Sequence, residues 1–419
     1  MIKSRFRSVQ KKISQNTKVI ENYFFMTALQ IISSAFGILI YPYLIRILGP
    51  ESYGLYVFSL SVTSYFVSFI SFGFSFPAAK AVVENKDNLQ AKNDIISCVF
   101  TAKIYLALIS ALIFSGLIFF VPAMHKNWFI FSVSFPQIIA EILFPVWYFQ
   151  GIQKMRVVTY IQLGFRLATL PFVFIFIKTP ADNWIYALIG SVSLIFAGIA
   201  AVFYLYKEEN IIYRFVSVNS LKAYFRDAMP FFWTSSASTI KTESITILIG
   251  SFFSMTDVAL YDLANKINIL PRMLTASING ALFPQILKNT QKNVIKKIIK
   301  YETLIGLIVI AGIAIFGYWI VLILGGAKMT GAYPLAVVLS GTVLIWLVVG
   351  SYISFIFVPN NRYYFVTQNQ FVAFGTFFLF CIPGLIIFQN IFAPVAALIL
   401  SGLCEIVYCN YLIKKHKLL

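Results

Sequence analysis

Charge is what this 419-residue sequence has least of: 11% is Asp, Glu, Lys or Arg, against roughly 25% in an average soluble domain. With 59% hydrophobic residues, a soluble fold would have too little polar surface to cover itself, so the chain belongs in a bilayer. Acids are the scarcer sign, 15 against 33 Lys and Arg. No Asp-x-Asp occurs, and the short outer loops leave no room for the large extracytoplasmic domain of a membrane glycosyl transferase or polymerase. No Gly-Lys dipeptide occurs either, which excludes a Walker-type phosphate loop and direct ATP drive. The two histidines, His125 and His416, lie outside the apolar runs, so no intramembrane histidine relay is available. The four cysteines, Cys98, Cys381, Cys404 and Cys409, lie inside apolar runs and read as packing residues, not as disulfides or metal ligands. With no Ser/His/Asp arrangement, the expectation is a protein that is not an enzyme and uses no cofactor or metal.

What is present is a series of apolar runs, each long enough to cross about 30 Å of hydrocarbon as a helix. Twelve can be placed, at 21–46, 55–80, 95–121, 128–149, 157–177, 184–206, 230–254, 260–287, 300–324, 333–358, 364–390 and 393–413. Their periodicity is helical, which predicts an all-α polytopic membrane protein and argues against a transmembrane barrel. The first twenty residues are basic and polar and lack a small-residue cleavage site, so the first span is read as retained.

The net charge of +18 invites a nucleic-acid partner until its distribution is followed. With a cytoplasmic N-terminus, only Arg46, Lys126, Lys178 and Lys328 fall in outer loops and five cations fall within spans. The other 24 of the 33 face inward. This positive-inside bias puts both termini in the cytoplasm, and the basic excess records topology and contact with anionic lipid, not nucleic acid.

The longest extramembrane segment, 207–229, divides the chain into an N-terminal lobe (1–206) and a C-terminal lobe (230–419) of six helices each. Ser61, Ser64, Ser68, Ser71 and Ser75 recur at spacings of three and four in the second span, one face of a helix. Asn265, Asn268, Arg272, Thr275 and Asn279 repeat that spacing in the eighth. An even number of helices per half implies a pseudo-two-fold axis along the membrane normal, with two pseudo-symmetric lobes around a central cleft.

Ionisable side chains in a bilayer normally face a cavity or a partner. Lys103, Arg166, Lys241, Lys266 and Arg272 are the intramembrane cations. Arg272 lies within the polar stripe beside the helix-kinking Pro271, and Lys241 shares a face with Thr234 and Ser238. Lys103 is near enough to its helix end to snorkel, and Asp262 and Lys266 stand in the favourable order for a local ion pair. Glu141, Glu243 and Asp262 are the candidate acids for ion coupling, with Glu405 a further acid inside a span. For each charge the alternative is a structural ion pair. Small residues such as the serines also permit close helix packing. Many cations, few acids and abundant Asn, Ser and Thr would suit an anionic, hydroxylated cargo.

The run Tyr41-Pro42-Tyr43-Leu44-Ile45-Arg46-Ile47-Leu48-Gly49-Pro50-Glu51-Ser52-Tyr53-Gly54-Leu55-Tyr56, followed by Phe72-Gly73-Phe74, resembles the signature of Wzx-type O-antigen flippases of the multidrug/oligosaccharidyl-lipid/polysaccharide exporter superfamily. Phe144-Pro145-Val146-Trp147-Tyr148-Phe149-Gln150-Gly151, Lys154-Met155-Arg156 and Arg166-Leu167-Ala168 also fit that family. The resemblance implies a transporter of undecaprenyl-diphosphate-linked repeat units in the bacterial inner membrane, working by alternating access. Arg166, Lys241 and Arg272 would replace part of the phosphate hydration. O-antigen polymerase, chain-length machinery, and H+ or Na+ would be its partners. The competing readings are an ion-coupled multidrug antiporter, which would need a protonatable acid and mostly apolar cavity walls, and a membrane glycan polymerase or ligase. A lipid II flippase relative would resemble a longer chain.

Overall fold

A computed structural model describes the backbone of residues 2–288 and 292–419, and the side chains of residues 21, 22, 24–273 and 292–419. Among the described residues there is no strand. The helices are α1 (Ile2–Ser71), α2 (Ser75–Glu84), α3 (Leu89–Phe120), α4 (Pro122–Lys126), α5 (Trp128–Ser134), α6 (Gln137–Leu143), α7 (Val146–Gly151) and α8 (Met155–Phe176). They continue as α9 (Asn183–Glu209), α10 (Val218–Phe252), α11 (Met255–Lys288), α12 (Lys292–Gly325), α13 (Ala332–Tyr352), α14 (Tyr363–Phe388) and α15 (Phe392–Lys415).

Nine stretches among the described residues are long and apolar enough to cross a membrane. One of them, Phe24–Glu84, is 61 residues long and is broken at Gly49, whose φ of 74° and ψ of 165° are not helical. It therefore contains the first two expected spans, run together because Pro50 tolerates the first turn after the break. The expected seventh and eighth spans are α10 and α11, 35 and 34 residues long, and neither is among the nine. Their polar and charged residues lower their hydropathy, while their length remains ample for a crossing.

Two expected spans differ in detail. The second helix stops at Ser71: Phe72 and Gly73 take positive φ, and α2 restarts at Ser75. Ser75 therefore does not share a helix face with the other four serines. The span at 128–149 is three short helices, interrupted at Phe135-Pro136 and at Phe144-Pro145, where proline removes a donor from the helical ladder.

The chain forms two compact units. The first comprises residues 1–36, 63–178 and 182–235, and the second residues 37–62, 179–181 and 236–419. In the first, Phe114 stacks on Phe135 at 4.0 Å and Phe66 meets both rings edge-on, knitting α1, α3 and the α5–α6 junction. Aromatic pairs of this geometry supply packing that apolarity alone cannot give in lipid, where leaving water is no longer the driving force. Gly73 lies against the backbone of Phe231 and Phe232, which leaves no room for a Cβ.

The connection after α9 is held to the same unit by a register match. Asn93, Ser97 and Thr101, one turn apart on α3, accept from the backbone N–H groups of Ile212, Arg214 and Val216 at 3.1, 3.0 and 3.3 Å. Four helical residues rise about 6 Å and two extended residues about 6.6 Å, so each turn of α3 meets every second residue of the strap. Within the segment 207–229 expected as the linker, α10 starts at Val218.

The second unit centres on α13, most of whose residues are buried. Ile345, Val348, Tyr352, Phe355 and Phe357 form its core with Ile295 of α12 and Cys409 and Leu412 of α15. Here the signature residues take structural places. Gly54 lies so close to α11 that a Cβ would overlap the Met255 carbonyl, and Tyr41 and Tyr53 pack edge-to-face at 5.1 Å.

Candidate functional site

Within the second unit a cavity of about 550 Å³ opens among α1, α10, α11, α13, α14 and α15. Its charged lining is Lys241 and Glu243 from α10, Asp262 and Arg272 from α11, and Glu405 from α15. Asn265, Gln370, Trp346 and Gly350 also line it. The lining of this cavity carries two cations and three acids.

Helix geometry explains how the eighth-span stripe divides. Asn265 and Arg272 are seven residues apart, about 20° short of two full turns, and both line the cavity. Asn268 is rotated about 60° from Asn265 and is fully buried, donating to the carbonyls of Ala264 at 2.8 Å and Ala336 of α13 at 3.1 Å. It ties two helices together and does not meet the cavity. The side chains of Thr275 and Asn279 lie outside the described residues. Of the serine stripe, Ser61 lines this cavity, whereas Ser64, Ser68 and Ser71 are half-buried in the first unit and Ser75 is exposed.

The charged groups are largely accounted for by partners. Lys241 Nζ lies 2.6 Å from Glu405 Oε1, and Asn369 of α14 donates to the other carboxylate oxygen at 3.3 Å. Lys266 pairs with Asp262 and donates to the Tyr53 hydroxyl at 3.1 Å, while Tyr53 donates to Asp262 at 2.9 Å. The Lys266 ammonium also stands over the rings of Tyr41 and Tyr53 at 5.4 and 5.7 Å. Arg272 donates to Thr342 of α13. Lys103, in the first unit, does not snorkel: its side chain is 3% exposed and its Nζ is 2.6 Å from Glu141 Oε1 and 2.8 Å from the Glu141 carbonyl. A buried ammonium about four helical turns from the nearer end of α3 is held there because a carboxylate and a carbonyl replace its hydration. Arg166 lies over the Phe36 ring at 5.8 Å and has no ion pair among the described residues.

Asn369, Gln370, Thr342 and Trp346 were not singled out by sequence reasoning. An amide pair inside an apolar run, Asn369-Gln370, was the available signal for α14. Lys154, between α7 and α8, pairs with Glu209 at 2.5 Å, and that hydrogen bond raises the ammonium above its ordinary range.

A family model described as Polysaccharide biosynthesis protein matches residues 19–290. Over 278 residues, 66% of this chain and 67% of the relative, the sequence is 28% identical to an Escherichia coli (strain K12) protein described as "Putative O-antigen transporter". The fold is similar to the lipid II flippase MurJ in an inward closed conformation, with a TM-score of 0.68, 14% identity, and coverage of 94% of this chain and 87% of that one. It is also similar to an inward-facing multidrug resistance MATE family transporter of the MOP superfamily, with a TM-score of 0.64, 12% identity, and coverage of 93% and 95%.

Proposed function

The chain belongs to the polysaccharide biosynthesis protein family, and from that premise we propose that it is a flippase for undecaprenyl-diphosphate-linked O-antigen repeat units. It carries them from the cytoplasmic to the periplasmic leaflet by alternating access, in a bacterial inner membrane with both termini cytoplasmic. The lobes at 1–206 and 230–419 are its working halves. Its partners are the lipid-linked oligosaccharide, membrane lipids, and the polymerase and chain-length machinery that consume the product. It performs no bond chemistry.

The observation that carries this reading is that α10 and α11, long enough to cross a bilayer yet outside the nine apolar candidates, supply most of the charged lining of the cavity. Helices that polar persist in lipid when their polar faces meet water or a hydrophilic cargo. A glycan is such a cargo, and its polyprenyl tail needs no protein passage because it can stay in lipid. The multidrug-type antiporter fits less well, because Asn265, Gln370, Ser238 and Thr242 line this cavity with hydrogen-bonding groups. Arg166, which has no ion pair among the described residues, is the cation proposed to meet phosphate. Coupling to H+ or Na+ would fall to Glu243, since Glu141 is engaged by Lys103 and Asp262 by Lys266.

The test is the sidedness of lipid-linked repeat units in cells that lack this gene. Units trapped on the cytoplasmic leaflet, with surface O-polysaccharide lost, are expected. Units that reach the outer leaflet at the normal rate would overturn the assignment.

A further inference from the structure

Resting on the transport reading above, we propose that the cavity of the second unit is a sugar subsite, with Trp346 as its stacking platform and Asn265 and Gln370 as its hydroxyl partners. Three observations converge on it. The lining is not a phosphate site by charge, because three acids face two cations and Lys241 is already paired with Glu405 at 2.6 Å. A diphosphate entering there would meet no net positive field, whereas a neutral, hydroxylated ring would meet amides that both donate and accept.

Trp346 stands on α13, most of whose residues are buried, yet is 38% exposed, and it lines the cavity. An indole lining a cavity with polar walls, on an otherwise largely buried helix, offers a flat apolar face that a pyranose can cover with its own C–H face. One turn further on, Gly350 lines the same cavity, and a Cβ built there would meet nothing within 4 Å. Trp346 and Gly350 at i and i+4 share a helix face, so the ring is flanked by an open shelf. The volume of about 550 Å³ lies within the range of sites that enclose small ligands.

The experiment uses the full-length protein in detergent and two probes: the lipid-free repeat-unit oligosaccharide released from the O-polysaccharide of the strain carrying this gene, and inorganic pyrophosphate. Binding is measured by calorimetry for the wild type, Trp346→Leu, Trp346→Phe and Gly350→Leu. The expected result is an oligosaccharide affinity lowered about tenfold or more in Trp346→Leu, the size of one contact worth ~1.4 kcal/mol, and by less in Trp346→Phe, which keeps an aromatic face. Gly350→Leu should weaken the oligosaccharide comparably by filling the shelf, and its open surroundings make it a variant that folds. Pyrophosphate affinity should be the same in all four proteins. Oligosaccharide affinity unchanged in both leucine variants, or no oligosaccharide binding by the wild type, would overturn the subsite, as would a matching loss for pyrophosphate. Expressed in a strain whose gene deletion traps lipid-linked units, leucine variants that export normally would sink the subsite and leave the transport reading standing. A deletion that traps none would sink the transport reading itself.

Discussion

Breaking the Lys241–Glu405 pair from either side should damage the protein far more than removing both charges together. The two side chains are 14% and 10% exposed, the ion pair is 2.6 Å long, and Asn369 binds the second carboxylate oxygen at 3.3 Å. Bringing two charges this far from water has a desolvation cost comparable with their attraction, so the intact pair contributes little net stability. Removing one partner strands the other. In Lys241→Met the carboxylate keeps only the Asn369 amide, and in Glu405→Gln the ammonium keeps only a neutral acceptor, each at a cost of about 3–5 kcal/mol. The double variant strands neither charge, so it should recover most of that loss, with a coupling of about 2 kcal/mol or more between the two sites. Thermal unfolding of the detergent-solubilised protein, followed by size-exclusion profiles of the four proteins, gives the cycle. A double variant as unstable as the sum of its singles would show that the residues act independently and that the pair is no structural unit.

Gly49→Ala should destabilise by about 1–3 kcal/mol, because φ 74° with ψ 165° is a region that only glycine occupies without strain. Gly54→Ala should be worse, since its Cβ overlaps the Met255 backbone, whereas Gly116→Ala in α3 meets open space and should be neutral or stabilising; the yield of monodisperse protein ranks the three. Ser97→Ala with Thr101→Val removes the acceptors of the Arg214 and Val216 N–H groups, about 0.5–1.5 kcal/mol each, and should speed hydrogen exchange across residues 211–217; unchanged protection would mean that other contacts hold the strap. A cysteine at 265 should react with a polar maleimide in membranes and one at 268 should not, because only Asn265 lines the cavity; the reverse pattern would contradict the rotation assigned to α11.

Much of the fold was legible because bilayer thickness imposes one length on every crossing helix, and composition alone excludes the soluble alternatives. What periodicity could not show were interruptions that cost little hydropathy. Pro136 and Pro145 split one expected span into three pieces, and Phe72-Gly73 ended the serine helix before Ser75, although every residue involved is apolar or small. The site was legible by residue type and illegible by partnership. Spacing singled out Lys241, Lys266 and Lys103, but an ion pair between residues 164 apart, such as Lys241 with Glu405, leaves no local pattern. The Lys266–Asp262 pair, four residues apart on one helix, was visible for that reason. The same distinction bears on cargo. Counting cations along the chain suggests a phosphate-binding cavity, whereas pairing them in space leaves this one nearly neutral, with an indole and amides on its wall. Charge count measures what a membrane protein must hide, and only the charges left without a carboxylate measure what it can bind.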